Sequence, residues 1–194
     1  ELKKILIENK KILAALKINK TDTVAIVLNN GVNFVTSFLS IIDNCISAPL
    51  NPNYSEGEYN FYYSDLKPKI IVTNFEDNHP SIIVAKKKKI KILRVVNFLL
   101  TPSKNIKNSD AKMKINRPGL NDIALILHTS GTTSKPKMVP LTHNNLLSSS
   151  KNISKTLKLS PKDKNIILMP SFHIHGIVAS ILAPLYVGSK VVAL

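Results

Sequence analysis

The chain is short of the residues that cross-link, bind soft metals or read nucleic acid. Cys45 is the one cysteine in 194 residues, so an intramolecular disulfide and a cysteine-based metal site are both excluded. Arg94 and Arg117 are the only arginines, whereas base-reading surfaces lean on arginine forks and aromatic stacking. Carboxylates are scarce too: 12 Asp and Glu stand against 27 Lys and Arg, a formal net charge of +15. The surplus is lysine, in a background of abundant Asn and Ile that A+T-rich coding produces by itself, and no nucleic-acid partner is expected. No apolar run reaches the roughly 18 to 20 residues that cross a bilayer, so no integral membrane segment is expected. Hydrophobic residues nevertheless make up 44% of the chain, enough for a packed core.

Apolar periodicity alternates along the chain between helical and strand-like spacing. Leu2, Ile5, Leu6, Ile12, Leu13 and Leu16 predict a helix, and residues 23–28 a buried strand. Residues 32–44 read as a helix and 46–50 as a strand. Ser55 and Glu58 form a capping-box signature for a helix toward Leu66. Residues 69–73 and 92–96 read as strands around a helix over 81–88, whose end carries the lysines from Lys86 to Lys89. Strands separated by helices predict an α/β fold with mainly parallel sheets covered by helices. The periodicity lapses over 97–121, read as a linker between a first unit, 1–96, and a second, 122–194. In the second unit, residues 123–127 form a buried strand and 138–141 an extended segment. Thr142 to Asn144 cap a helix toward Leu157. A strand over 166–169, a helix over 174–186 and a last strand from Ser189 complete it. The chain opens on Glu1 without Met and closes on the apolar run 191–194, so a longer protein is expected, with the second unit incomplete at its C-terminal end.

The informative stretch runs from Thr129 to Lys137. Four hydroxyl side chains, Thr129, Ser130, Thr132 and Thr133, surround Gly131, which lets backbone approach a ligand. Ser134, Lys135 and Lys137 follow. Such a loop behind a buried strand can wrap phosphate oxygens, since ligands of open α/β sheets sit at the carboxyl ends of strands. It is neither a Walker loop nor a dinucleotide fingerprint, because the second glycine is missing and Pro136 follows Lys135. His173 and His175 without a neighbouring carboxylate make a poor metal site, and no metal ligands are assigned. His128, beside the loop, either supports it or packs; both readings stand. His143 is read as a capping or packing residue, His79 as part of a turn, and Cys45 as a small buried hydrophobe.

Residues 130–137 resemble the phosphate-binding signature of the adenylate-forming superfamily, S-G-T-T-G-x-P-K-G, with Ser134 and Met138 standing where that form has glycine. Residues 169–176, Met-Pro-Ser-Phe-His-Ile-His-Gly, resemble the family's aromatic motif, and Asn29-Asn30 and residues 48–52 its earlier segments. The details are similar to the branch that holds oxalate-CoA ligase and the 4-coumarate-CoA ligase-like acyl-CoA synthetases. The resemblance implies a partial N-terminal domain of an adenylate-forming enzyme. It implies ATP, Mg²⁺ and coenzyme A as cofactors, a small-molecule carboxylic acid as substrate, and an acid-thiol ligase activity. Other adenylate-forming enzymes and a non-catalytic nucleotide-binding protein of the same fold are the alternatives. By the same resemblance, Thr129 to Lys135 and Lys137 bind the triphosphate, with Lys137 near the leaving group. His173 borders the carboxylate, and Phe172, His175 and Gly176 shape the acyl pocket. The remaining catalytic groups and the mobile domain are expected further along, in the missing C-terminal part. An intracellular setting follows, in the cytoplasm or an organelle such as the peroxisome.

Overall fold

A computed structural model describes residues 1–102, 117–129 and 136–193. Helix α1 (Leu2–Ala15) leads into strand β1 (Thr23–Val27), followed by α2 (Val32–Ile42), β2 (Ile46–Pro49), α3 (Glu56–Leu66), β3 (Ile70–Thr73), α4 (Pro80–Lys87) and β4 (Lys91–Val96). Strand β5 (Leu99–Pro102) comes next, then β6 (Ile123–His128), β7 (Met138–Thr142), α5 (His143–Thr156) and β8 (Lys164–Ile166). A helical run follows, made of α6 (Ile174–Ile177), a π turn (Val178–Leu182) and α7 (Ala183–Tyr186), before β9 (Lys190–Val192). Seven strands form one sheet in the order β5-β4-β3-β1-β2-β6-β7, parallel except for its two edge strands. Strands β8 and β9 pair in parallel as a separate ribbon.

The sheet is covered on both faces because its strands alternate between two apolar cores. Val24 and Ile26 of β1 face Leu13, Phe34, Phe38, Ile41, Leu146 and Ile181 from α1, α2, α5 and the π turn. Ala25 and Val27 face Tyr59, Tyr63, Leu66 and Ile82 from α3 and α4. The predicted capping box of Ser55 with Glu58 forms on α3, and Thr142, predicted to cap α5, does so in a reciprocal box with Asn145. No helix among the described residues is long and apolar enough to cross a membrane.

Three details differ from the sequence reading. Residues 97–102 are not linker: Asn97 and Phe98 both take left-handed φ, 48° and 68°, and make the two-residue turn of a β4–β5 hairpin. A phenylalanine there gives no local turn signal, which is why the segment reads as linker. The buried side chain of Asn9 holds the hairpin: its Oδ1 accepts from the Leu100 N–H at 2.7 Å and its Nδ2 donates to the Phe98 carbonyl at 3.2 Å. Nor does the main sheet stop at residue 96, because β6 pairs with β2 through Ser47 and Leu125. The predicted strand over 166–169 ends at Ile166, leaving Leu168 76% exposed. The helix over 174–186 forms, but widens into its π turn just before Pro184, which has no N–H to continue the ladder.

Glycine is scarce, and lysine takes its place at helix ends. Lys17, Lys67, Lys89 and Lys158 hold left-handed φ between 45° and 57° at the ends of α1, α3, α4 and α5, where glycine is the usual residue. Each L-residue there carries a steric cost that glycine lacks. Lys67→Gly and Lys158→Gly are therefore each expected to stabilise the chain by about 0.5–1 kcal/mol in urea denaturation; a lower midpoint would contradict the capping argument.

Candidate functional site

The chain leaves β2 toward β3, back across β1, and leaves β6 outward into β7. Two neighbouring parallel strands with exits in opposite directions open a crevice at their carboxyl ends, the usual ligand position in such sheets. The hydroxyl-rich loop stands at this edge as the connection of the β6–β7 hairpin. Its neck is described by Thr129 and Lys137. The Thr129 N–H donates to the Lys137 carbonyl at 3.0 Å, and the Lys137 N–H donates back to Thr129 Oγ1 at 3.3 Å. Ser130, Gly131, Thr132, Thr133, Ser134 and Lys135 lie outside the described residues. Strand β7, not a helix, follows the loop directly. The Lys137 side chain is exposed and has no ion-pair partner among the described residues. Met138 sits in an ordinary extended strand without positive φ.

The opposite wall is the segment before α6. Asn30, at the end of β1, clamps it with both ends of its amide. Its Nδ2 donates to the Met169 carbonyl at 3.0 Å, and its Oδ1 accepts from the Ser171 N–H at 2.8 Å. Phe172 and His173 then stand side by side, ring centroids 4.5 Å apart, with His173 as N-cap residue of α6. They line a pocket of about 40 Å³ together with Leu50, Asn51, Tyr54, Tyr62 and His128. That volume takes water rather than a drug-sized ligand, whose pockets run to roughly 300–1,000 Å³.

This wall is rigid and polar. Tyr54 stacks on Tyr62 at 4.7 Å and donates its hydroxyl hydrogen to that of Tyr62 at 3.2 Å. Tyr59 donates to the Asn51 carbonyl at 2.8 Å. Burial, and for Tyr54 the bond to Tyr62, pushes the Tyr54 and Tyr59 phenols well above their ordinary range, so both stay protonated donors. His128 Nε2 lies 2.9 Å from Asp65 Oδ2, and its ring meets Tyr62 edge-on. The pair ties the end of α3 to the strand end that carries the loop. His128 thus both packs and supports.

Two predicted pocket residues go elsewhere. His175, the second residue of α6, lines a separate groove of about 570 Å³ with Ile153, Leu157 and Val178, because the helix start between 173 and 175 sends the two rings to different sides. Gly176 is buried against the Pro170 backbone, where a Cβ would overlap the Pro170 carbonyl oxygen and lie 2.9 Å from its carbon. Its smallness lets α6 close on the Asn30-held segment. Asn30, Asp65, Tyr54 and Tyr62 were missed as site residues. Only Asn29-Asn30 carried a signal, as a segment resembling the family's, with no role attached to it.

Fold and site together define an α/β ligand-binding domain of the adenylate-forming class, with a hydroxyl-rich loop and an aromatic-histidine segment at one sheet edge. The chain belongs to the AMP-binding enzyme family, whose profile matches residues 11–194. It is 38% identical over 200 residues to the oxalate–CoA ligase of Saccharomyces cerevisiae, covering 89% of this chain and 37% of that one. It is 41% identical to the oxalate–CoA ligase of Arabidopsis thaliana over 180 residues, covering 88% of this chain and 34% of that one. The ATP-bound structure of MatB from Rhodopseudomonas palustris superposes with a TM-score of 0.83 at 25% identity, covering all of this chain and 39% of that one. The chain thus spans a little over a third of the length of these relatives.

Asn30→Ala removes both bonds that hold the 169–171 segment. Exchange of the Ser171 amide is expected to accelerate at least about tenfold, since one lost hydrogen bond of about 1–1.5 kcal/mol suffices. Asn30→Asp keeps the acceptor and should fall between. Unchanged protection at Ser171 in both variants would contradict the clamp.

Proposed function

We propose that this chain supplies the triphosphate-binding and carboxylate-facing part of an ATP-dependent acid–thiol ligase. The observation that carries the reading is the pinned neck of the loop at the β2–β6 crevice, opposite His173, in a chain of this family. In the reaction, a substrate carboxylate oxygen attacks the α-phosphorus of ATP and pyrophosphate leaves. The thiol sulfur of coenzyme A then attacks the acyl carbon, and AMP leaves. Two anions must meet in the first step, so donors and cations aimed at the departing charge are the main requirement.

Gly131 gives close approach, and Ser130, Thr132 and Thr133 give hydroxyl and backbone donors. Ser134 and Lys135 complete the bend that Thr129 closes, and Lys137 brings its ammonium to the pyrophosphate. His173 borders the reacting carboxylate, and Phe172 forms the apolar edge of the acid's site. No three His, Cys, Asp or Glu side chains converge as a cation site among the described residues. Mg²⁺, bound with ATP, would share with Lys137 the neutralisation of the departing phosphates. Oxalate, named for the yeast and Arabidopsis relatives, is the acid of choice to test first. The rest of the relatives' length has a surface to pack on: Leu157, Leu168, Ile174 and Tyr186 are exposed beside the two-stranded β8–β9 ribbon, which is too small to be stable unsupported. An intracellular setting accompanies ATP and coenzyme A.

Purified 1–194 is expected to bind ATP or pyrophosphate weakly by titration calorimetry, at least about fivefold more weakly as Lys137→Ala, consistent with the loss of one charge-assisted contact. It should release no pyrophosphate on adding ATP and oxalate. Equal affinity of native and Lys137→Ala chains would sink the assignment of the loop, and acid-dependent pyrophosphate release would sink the need for the remaining segments.

A further inference from the structure

At the opposite end of the molecule, α1 carries two apolar stripes. One, with Ile12, Leu13 and Leu16, packs into the core. The other, Leu6 and Ile7, has no part in either core cluster, and Ile7 is 45% exposed. Beside it, Leu39 and Ile42 of α2 are only partly buried. Together these four side chains floor a cavity of about 430 Å³, within the size range of small-molecule sites.

Its rim is cationic. Lys3 and Lys10 bracket the stripe one turn to either side, and Arg117 and His143 close it from the second half of the chain. Asp43, 3.6 Å from Lys10, is the one carboxylate on the lining. Lys3 and Arg117 have no ion-pair partner among the described residues. The Nε2 of His143 is buried without a hydrogen-bond partner among them, a state that costs free energy until a polar group meets it. Lysine stems often lie over apolar helix surface with their ammonium groups in water, but here they leave an open hollow under three cations.

We propose that this cavity binds a single-chain amphiphile with an anionic head, a medium-chain fatty acid, its alkyl chain on Leu6, Ile7, Leu39 and Ile42 and its carboxylate toward Arg117 and Lys3. The site stands apart from the β2–β6 crevice and does not depend on the ligase reading. The alkyl chain gains from leaving water. The head gains from a rim whose cations outnumber its one carboxylate.

Titration of 1–194 with decanoate below its micelle concentration tests this, with decanol, decyltrimethylammonium and acetate as comparisons. Saturable binding of decanoate is expected, at least tenfold tighter than either the decyl cation or acetate. Ile7→Glu, on an exposed position that leaves the core intact, should weaken decanoate at least tenfold. Arg117→Glu should weaken decanoate severalfold and leave decanol unchanged. No saturable binding, equal binding of the decyl cation, or decanoate affinity untouched by both substitutions would each overturn the proposal.

Discussion

The site depends on one strand pairing between distant parts of the chain, β2 with β6. Ser47 and Leu125 meet one strand in from the β7 edge of the sheet, both fully buried. At the start of β6, Asp122 accepts from Lys20 Nζ at 2.9 Å and from the Gly119 N–H at 2.7 Å, and these contacts hold the Asp122 carboxyl below its ordinary range. Docked there, β6 must deliver Thr129 to the carboxyl edge, beside Asn51 and opposite His173. Without that register the hydroxyl-rich loop has no second wall.

Around this pairing the molecule separates what must stay fixed from what must meet charge. The tyrosines on α3 and before it, the Asp65–His128 pair and the Asn30 clamp are held by buried aromatic faces and hydrogen bonds, interactions that persist in a packed interior. Lys137 stands outside them, exposed and with no ion-pair partner among the described residues. Two glycine roles illustrate the same economy. Gly176 is kept where a backbone must come close, whereas lysine serves at helix ends where glycine is merely favourable.

Locally encoded features were legible in the sequence. The capping boxes at Ser55 and Thr142, the alternation of buried strands with helices, the Thr129–Lys137 loop and the segment around His173 all rest on neighbours in the chain. What escaped depends on contacts across it. The β4–β5 hairpin turns on a left-handed phenylalanine and is held by Asn9, some 90 positions away in the chain. Asn30 carries no clamp signal in the sequence until Met169 and Ser171 are brought to it. Nothing near Asp65 marks it as the partner of His128, and two histidines two positions apart look like a pair until a helix start sends them into different hollows.

The central claim is that the bend between Thr129 and Lys137 grips a chain of phosphates. Amide chemical-shift mapping of isotope-labelled 1–194 during addition of pyrophosphate addresses it most directly. The account predicts saturable shifts at Thr129, Lys137 and the loop between them, extending to His173. Shifts confined to the surface lysines at 86–89, or spread without saturation over the whole basic surface, would contradict it.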